Sequence, residues 1–416
     1  MSERLPAFYK NFLKMVGGTG VAQLIPFLVS PILTRIFTPD EFGAYAFFLA
    51  SISVMTIIAT GKYELAFLIP KEKRRVFSLV AFSTGLAIVV SSVLFIILYF
   101  FGARFFESVD LENYSSAFIY GLPIAVLIVS LTNILSGVMI RLKQFSKLST
   151  TRVFKSSGIN GGQLILGFSK AYGFGLMIGK IFGEALNLIF IIWLLRKHIS
   201  GNTPFKSSGI LKEAKEYKKF PFVTSPHALL NTLSSNSPNF LFVSFFSTAV
   251  AGFYSLSYRV CFAPIQLISH SMYQVYSQDI SERYNNGLEL YQHSLRILRK
   301  ISVYGFIPFL LLFFFAPSII KILFGSDWTT AGEYIQFLVP YFYLSFITSP
   351  FSFVPLLLGK QEAAFSIEII NLILRVSAIY IGYIYGSVFL SLLLYSIVGT
   401  LIQSYLIVWF FSLLRR

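Results

Sequence analysis

The chain has 416 residues, with 34 Lys+Arg against 18 Asp+Glu and a formal charge of +16. Hydrophobic residues make up 55% of it, aromatic residues 17% and charged residues 12%, about half the ~25% charge usual in soluble domains. That balance excludes a disordered chain, a collagen-like fibre and a disulfide scaffold, and the one cysteine, Cys261, has no partner in the chain.

A membrane helix needs roughly 20 mostly apolar residues. In chain order such stretches fall near 15–36, 43–69, 76–101, 116–139, 156–170, 174–195, 221–246, 253–277, 301–323, 335–358, 363–384 and 387–411. The pattern predicts an all-α polytopic membrane protein of about twelve helices. The first apolar run is long, contains Pro26 and Pro31 and shows no small-residue cleavage pattern, so it reads as a span and not as a removable signal.

The charge is sorted by these spans. Lys and Arg in short loops stay cytoplasmic. The N-terminus, 70–75, 140–155, 196–220, 278–300, 359–362 and the C-terminus hold 26 basic and 8 acidic residues. The alternate loops hold 2 basic and 7 acidic residues, and the spans 6 and 3. Both termini are therefore predicted to be cytoplasmic. The high net charge is a topology signal and does not point to nucleic acid. No external loop exceeds about 14 residues, too short to fold as an outer domain.

The largest cytoplasmic segment divides the chain into a six-helix lobe over 1–200, a linker over 201–220 and a second six-helix lobe over 221–416. The linker run from Lys212 to Lys219 reads as an amphipathic segment on anionic lipid, or as a solvated loop. The segment 278–300 reads as helical and similarly surface-bound. Phe42-Gly43-Ala44-Tyr45-Ala46 and Ala251-Gly252-Phe253-Tyr254-Ser255 each follow the first helix of a half. With both halves starting inside, this makes parallel repeats, whose transport sites lie near the midplane between halves.

Charge near the bilayer centre costs roughly 2.5–3.5 kcal/mol, so charged residues in spans are functional candidates. The bases are Arg35, Lys62, Lys180, Arg259, Lys321 and Arg375, and the acids Glu64, Glu184 and Glu368. Arg35 and Lys321 lie near external ends and can snorkel. Lys180 and Glu184 are spaced to pair along one helix, and Gly175, Gly179 and Gly183 form a small-residue packing face beside them. Glu368 and Arg375 are two turns apart on one face, so both couples are candidate structural or coupling pairs. Lys62 and Glu64 are roughly 200° apart on an ideal helix and are expected on different faces. Arg259 has no acid within a helical turn and is the foremost cavity candidate, with Lys62 next.

Polar stripes add to this. Ser255, Arg259, Gln266, His270 and Tyr273 follow helical spacing in the eighth span. His227, Asn231, Ser235 and Asn239 recur every four residues in the seventh, which Pro221, Pro226 and Pro238 are expected to break. Gln23 lies in the first. Such stripes line a watery cavity or form hydrogen bonds between helices. Enzyme signals are poor: there is no Walker lysine, no CxxC and no histidine pair at metal spacing among His198, His227, His270 and His293. No catalytic residue, metal or cofactor is assigned.

The stretch Thr34-Arg35-Ile36-Phe37-Thr38-Pro39-Asp40-Glu41-Phe42-Gly43-Ala44-Tyr45 resembles the first external turn of bacterial polysaccharide flippases. These are the O-antigen repeat-unit exporters of the multidrug/oligosaccharidyl-lipid/polysaccharide superfamily. Gly61-Lys62-Tyr63-Glu64 continues the likeness, as do Gly252-Phe253-Tyr254-Ser255, Arg259, Pro264, Tyr276, Ser281 and Glu282. The resemblance implies two lobes around a central cavity lined by the first, second, seventh and eighth helices. It implies a multi-pass protein of the bacterial inner membrane that moves undecaprenyl-diphosphate-linked oligosaccharide in lipopolysaccharide or related polysaccharide assembly. It also implies contact with other assembly proteins and leaves a coupling proton or sodium ion open, with Glu64 as its carrier. The lack of two further C-terminal helices favours repeat-unit exporters over peptidoglycan-precursor flippases. Two rival readings remain: a multidrug exporter, which needs acids in its cavity, and a glycan polymerase or ligase, which needs a large external loop.

Overall fold

The computed structural model describes residues 7–169, 174–199 and 209–415, with backbone alone for 7–19, 197–199, 263–268, 270, 271 and 274. Among them every regular element is helical. In hydrocarbon the backbone must bond to itself, and a helix does this within one segment. The helices are α1 (Ala7–Leu33), α2 (Pro39–Thr60), α3 (Lys73–Ser108), α4 (Leu122–Arg141), α5 (Phe145–Phe168), α6 (Gly175–Ile199), the short α7 (Ile210–Glu216), α8 (Ser225–Phe245), α9 (Thr248–Asn285), α10 (Tyr291–Phe324), α11 (Thr329–Thr348), the short α12 (Val354–Leu357), α13 (Gln361–Ile384) and α14 (Val388–Leu414). The twelve long ones follow the twelve expected spans in order. Eight are long and apolar enough to cross a membrane by composition alone; the more polar remainder includes α5, α8 and α9.

Several helices overrun the apolar stretches that announced them, because hydropathy marks contact with lipid and not the end of a hydrogen-bonded helix. Helix α5 begins at Phe145 and not near 156. The segment 278–300 is largely helical, as expected, and forms the end of α9 and the start of α10. The prolines do not break the seventh span: a π turn over Phe220–Thr224 leads into α8, which carries Pro238 inside it.

Local chemistry fixes the ends of α2. Thr38 is its N-cap, Pro39 occupies the first turn, and the Glu41 carboxylate accepts the Thr38 backbone N–H at 2.7 Å. Thr38 Oγ1 in turn accepts the Glu41 N–H, completing a capping box. At the other end Gly61 takes φ +55°, and its N–H closes on the Ile57 carbonyl at 3.0 Å. A left-handed glycine of this kind ends a helix. The expected span 43–69 therefore stops at Thr60, and a 3₁₀ turn over Tyr63–Leu68 follows.

The chain divides into two compact units, one ending at Asn236 and one running from Ser237 to Arg416. The boundary falls inside α8 and not at the expected linker over 201–220. The reason lies in α7, whose inner face docks on the first unit. Arg75 on α3 donates to both carboxylate oxygens of Glu213 at 2.9 and 2.8 Å. The Tyr63 hydroxyl donates to the Ala214 carbonyl at 3.0 Å. Lys212, Lys215, Lys218 and Lys219 stay exposed, so only the outer face of this segment is available to anionic lipid.

Within the first unit α5 and α6 meet backbone to backbone, as the glycine spacing suggested. A Cβ on Gly183 would lie 2.3 Å from the Ile159 nitrogen, whereas one on Gly161 would meet nothing within 4 Å. Overpacking costs ~1–3 kcal/mol. Gly183→Ala is therefore expected to lower the melting temperature of the detergent-solubilised protein by several degrees, read by fluorescence-detected size exclusion. Gly161→Ala is expected to leave it unchanged.

Candidate functional site

In the first unit the Gly61-Lys62-Tyr63-Glu64 stretch forms a pinned loop. Lys62 takes a left-handed conformation with φ +54°, outside any helix. The expectation that Lys62 and Glu64 lie on different faces fails for this reason: Nζ of Lys62 stands 3.7 Å from Oε1 of Glu64. This is a loose contact, with the side chains 26% and 11% exposed, and Oε2 of Glu64 is buried without a hydrogen-bond partner. Arg141 on α4 fastens the turn by donating from Nη1 to the Phe67 carbonyl at 2.8 Å and from Nη2 to the Pro70 carbonyl.

Deeper in the same unit lies a three-residue ionic cluster. Lys180 pairs with Glu184 at 2.7 Å, as their spacing predicted. Lys155 on α5 reaches the same oxygen at 2.6 Å. Glu184 is 1% exposed, and its other oxygen, Oε2, has no hydrogen-bond partner. One carboxylate thus faces two ammonium groups. A single carboxylate cannot balance two charged ammonium groups, so the cluster couples the three side chains to one another. Sequence reasoning missed Lys155 because the apolar stretch begins only at 156. Ser156, Asn160 and Gln163, all buried, follow helical spacing, but their face lies about 100° round the helix from Lys155 and does not point to it.

In the second unit Arg375 is 6% exposed. Its guanidinium carbon sits 4.5 Å from the Tyr341 ring centroid and 5.1 Å from that of Tyr395. The expected pairing with Glu368 is replaced by this aromatic seat, which attracts a desolvated cation through the ring quadrupole. Glu368 instead accepts from the Asn371 amide at 3.4 Å. Tyr341 and Tyr395 belong to α11 and α14, so no spacing along α13 reveals them.

The remaining candidates do not converge within either unit. Gln23 is half-buried on α1 and Arg35 is exposed at its end. His227 and Asn231 are exposed on the part of α8 in the first unit. Asn239 is half-buried in the second, with Oδ1 buried and lacking a hydrogen-bond partner. Arg259 is half-buried on α9. Tyr273 is half-buried there too, its ring edge-on to Phe353 with centroids 6.1 Å apart. The side chains of Gln266 and His270 lie outside the described residues.

Residues 32–333, more than half of the chain, match the family model described as polysaccharide biosynthesis protein. The chain belongs to that family. No curated protein sequence matches it. Among solved structures, this family member is similar to the lipid II flippase MurJ in an inward closed conformation. The TM-score is 0.77 at 14% identity, covering 94% of this chain and 86% of that one. It is also similar to an outward-facing multidrug resistance MATE transporter of the MOP superfamily, with TM-score 0.64, 14% identity and 98% and 96% coverage. A third likeness is to a MOP superfamily transporter from Pyrococcus furiosus, described by a reversed polarity of its binding pocket. Its TM-score is 0.60 at 12% identity, with 98% and 96% coverage. The polysaccharide biosynthesis protein described here therefore has the MOP superfamily fold.

Removing one member of a buried ionic group costs ~3–5 kcal/mol, chiefly because the others are left unbalanced. Glu184→Gln leaves two facing ammoniums and is expected to destabilise the solubilised protein more than Lys155→Met, which leaves one neutral pair. Adding Lys155→Met to Glu184→Gln is expected to recover part of the loss. Melting curves of the two single variants and the double variant measure this coupling.

Proposed function

We propose that this protein is a flippase that moves polyprenyl-diphosphate-linked oligosaccharide, of the undecaprenyl class, across the bacterial cytoplasmic membrane by alternating access. The observation that carries the reading is the sign of the charge at membrane depth. Lys62, Lys155, Lys180, Arg259 and Arg375 stand on or beside the spans, where the acids are Glu64, Glu184 and Glu368. An ammonium or guanidinium in a low-dielectric setting makes strong charge-assisted bonds to phosphate oxygens. The same groups oppose an organic cation, which counts against a multidrug exporter. Membership of a polysaccharide biosynthesis family supports a glycan as the attached cargo.

Lys62 and Arg259 are the groups assigned to the diphosphate. Lys62 holds Glu64 only loosely, so a phosphate can take its ammonium without breaking a tight pair. Polar faces of α8 and α9, with Asn231, Asn239 and Tyr273, hydrate and contact the sugars. Glu64 is assigned the coupling proton or sodium ion, and its unpartnered buried oxygen supports that role. Other membrane proteins of polysaccharide assembly would supply and consume the cargo.

Lys62→Ala and Arg259→Ala are each expected to reduce surface glycan at least tenfold in a complementation assay at matched protein levels. Lys62→Arg is expected to retain most export. Full export by both alanine variants would remove the charged groups from the mechanism. An unchanged glycan with increased drug susceptibility in a deletion strain would favour the multidrug reading instead.

A further inference from the structure

The second unit carries an apolar groove of about 830 Å³ along α9 and α10. Its floor is made by buried Val260, Cys261 and Ile301, and its open lip by Val275 and Tyr304, which are 72% and 77% exposed. Gly305 keeps the floor low, since a Cβ there would lie 2.6 Å from the Phe346 ring. The Tyr276 hydroxyl, which lies on this wall, is bonded to Ser294 at 2.8 Å and presents no free polar group.

Two features select the occupant. The first is length. The lining runs along α10 from Ile297 to Ile319, about 33 Å at 1.5 Å per residue, which matches the ~30 Å hydrocarbon thickness of a bilayer. One leaflet of a bilayer covers only about half of that thickness, so a groove of this length suits a chain longer than an ordinary phospholipid tail.

The second feature is charge at one end. Asp279 and Lys300 close the groove at the end where α9 finishes and α10 starts. Asp279 is already engaged by Arg283 at 3.3 Å and by His293. Lys300 is exposed and, among the described residues, no carboxylate pairs with it; Arg299 beside it is exposed as well. One cationic end on a bilayer-long apolar trough complements a long-chain lipid with a phosphate at its head.

We propose that this groove seats the polyprenyl tail of the lipid-linked cargo, with the phosphate next to the tail held at Lys300. The assignment rests on the flippase reading and adds to it a place for the tail. A chain lying in the groove stays in apolar surroundings and out of the polar path, and Lys300 holds its phosphate only in the loading state, before the head group passes to the cations assigned above. The groove belongs wholly to the second unit and needs no contribution from the first.

The test uses the purified full chain in nanodiscs of zwitterionic lipid and a diazirine-bearing polyprenyl monophosphate, with adducts mapped by mass spectrometry. Adducts are expected on Met272, Val275, Tyr304 and Leu311. Unlabelled polyprenyl phosphate should compete, and phosphatidylglycerol at the same concentration should not. Val275→Trp, on the open lip, should lower adduct yield at least fivefold, and Lys300→Gln should raise Kd about tenfold, both at unchanged melting temperature. Adducts confined to other helices, or equal competition by phosphatidylglycerol, would overturn the assignment. The binding assay is separate from export. Absence of groove adducts together with loss of export in the Lys62 and Arg259 variants would sink the groove alone. Groove adducts together with full export by those variants would sink the assigned head-group cations and leave the groove standing.

Discussion

Helices α5 and α6 touch backbone to backbone, and the first unit depends on that contact. Gly179 and Gly183 leave no side chain between the two axes; a Cβ on Gly179 would already lie 2.6 Å from the Gln163 nitrogen. Close approach maximises dispersion contact, which must drive helix association where lipid is as apolar as the helices themselves. It also decides the electrostatics. Only at this separation does Lys155 on α5 reach Glu184 on α6 at 2.6 Å. A larger residue at Gly183 would push the lysine away from its counter-charge as well as strain the packing. The small residues and the buried ions are therefore one device, and neither makes sense in hydrocarbon without the other.

The second unit solves the same problem with different chemistry. Arg375 is as inaccessible as most core leucines, yet its seat is two phenol rings, with one guanidinium nitrogen 3.5 Å from the Tyr395 hydroxyl. A ring face satisfies a cation without adding a negative charge. The result is a site that holds its charge in place and does not cancel it. Unit one reaches a similar end by placing two lysines on one glutamate. Both arrangements give their cations fixed partners.

Much of this was legible in the sequence. Twelve apolar stretches, their order and the Lys180–Glu184 pair follow from composition and spacing, because hydropathy and the 3.6-residue repeat act on contiguous residues. What was not legible depends on departures from a regular helix or on distant partners. Lys62 and Glu64 were placed on separate faces by an ideal helix that Gly61 in fact ends; the glycine was the available clue. Lys155 reads as a loop residue because hydropathy falls before the helix does. Arg375 was matched to Glu368, the acid on its own helix, because the tyrosines that receive it are 34 residues before it and 20 after it in the chain. The unit boundary lies elsewhere because an ion pair from Arg75 draws α7 onto the first unit, and nothing in a Lys-rich linker announces that Glu213 faces inward.

The intramembrane charge also constrains what the fold can carry. The MOP architecture is shared with cation exporters, so the fold alone does not choose a cargo. Charge inside a fold can: unit charges 4 Å apart interact by ~4 kcal/mol at an effective dielectric of 20, enough to change a partition ratio by nearly a thousandfold. Arg375, 6% exposed between its rings, cannot reach water without unpacking its seat, whereas Lys155 is 32% exposed. Under the proposed function this sign of charge opposes an organic cation and suits a phosphate. An apolar trough as long as the bilayer is thick, with a lysine at one end, complements that field, since a diphosphate joined to a polyprenyl chain needs a positive path for its head and a dry one for its tail.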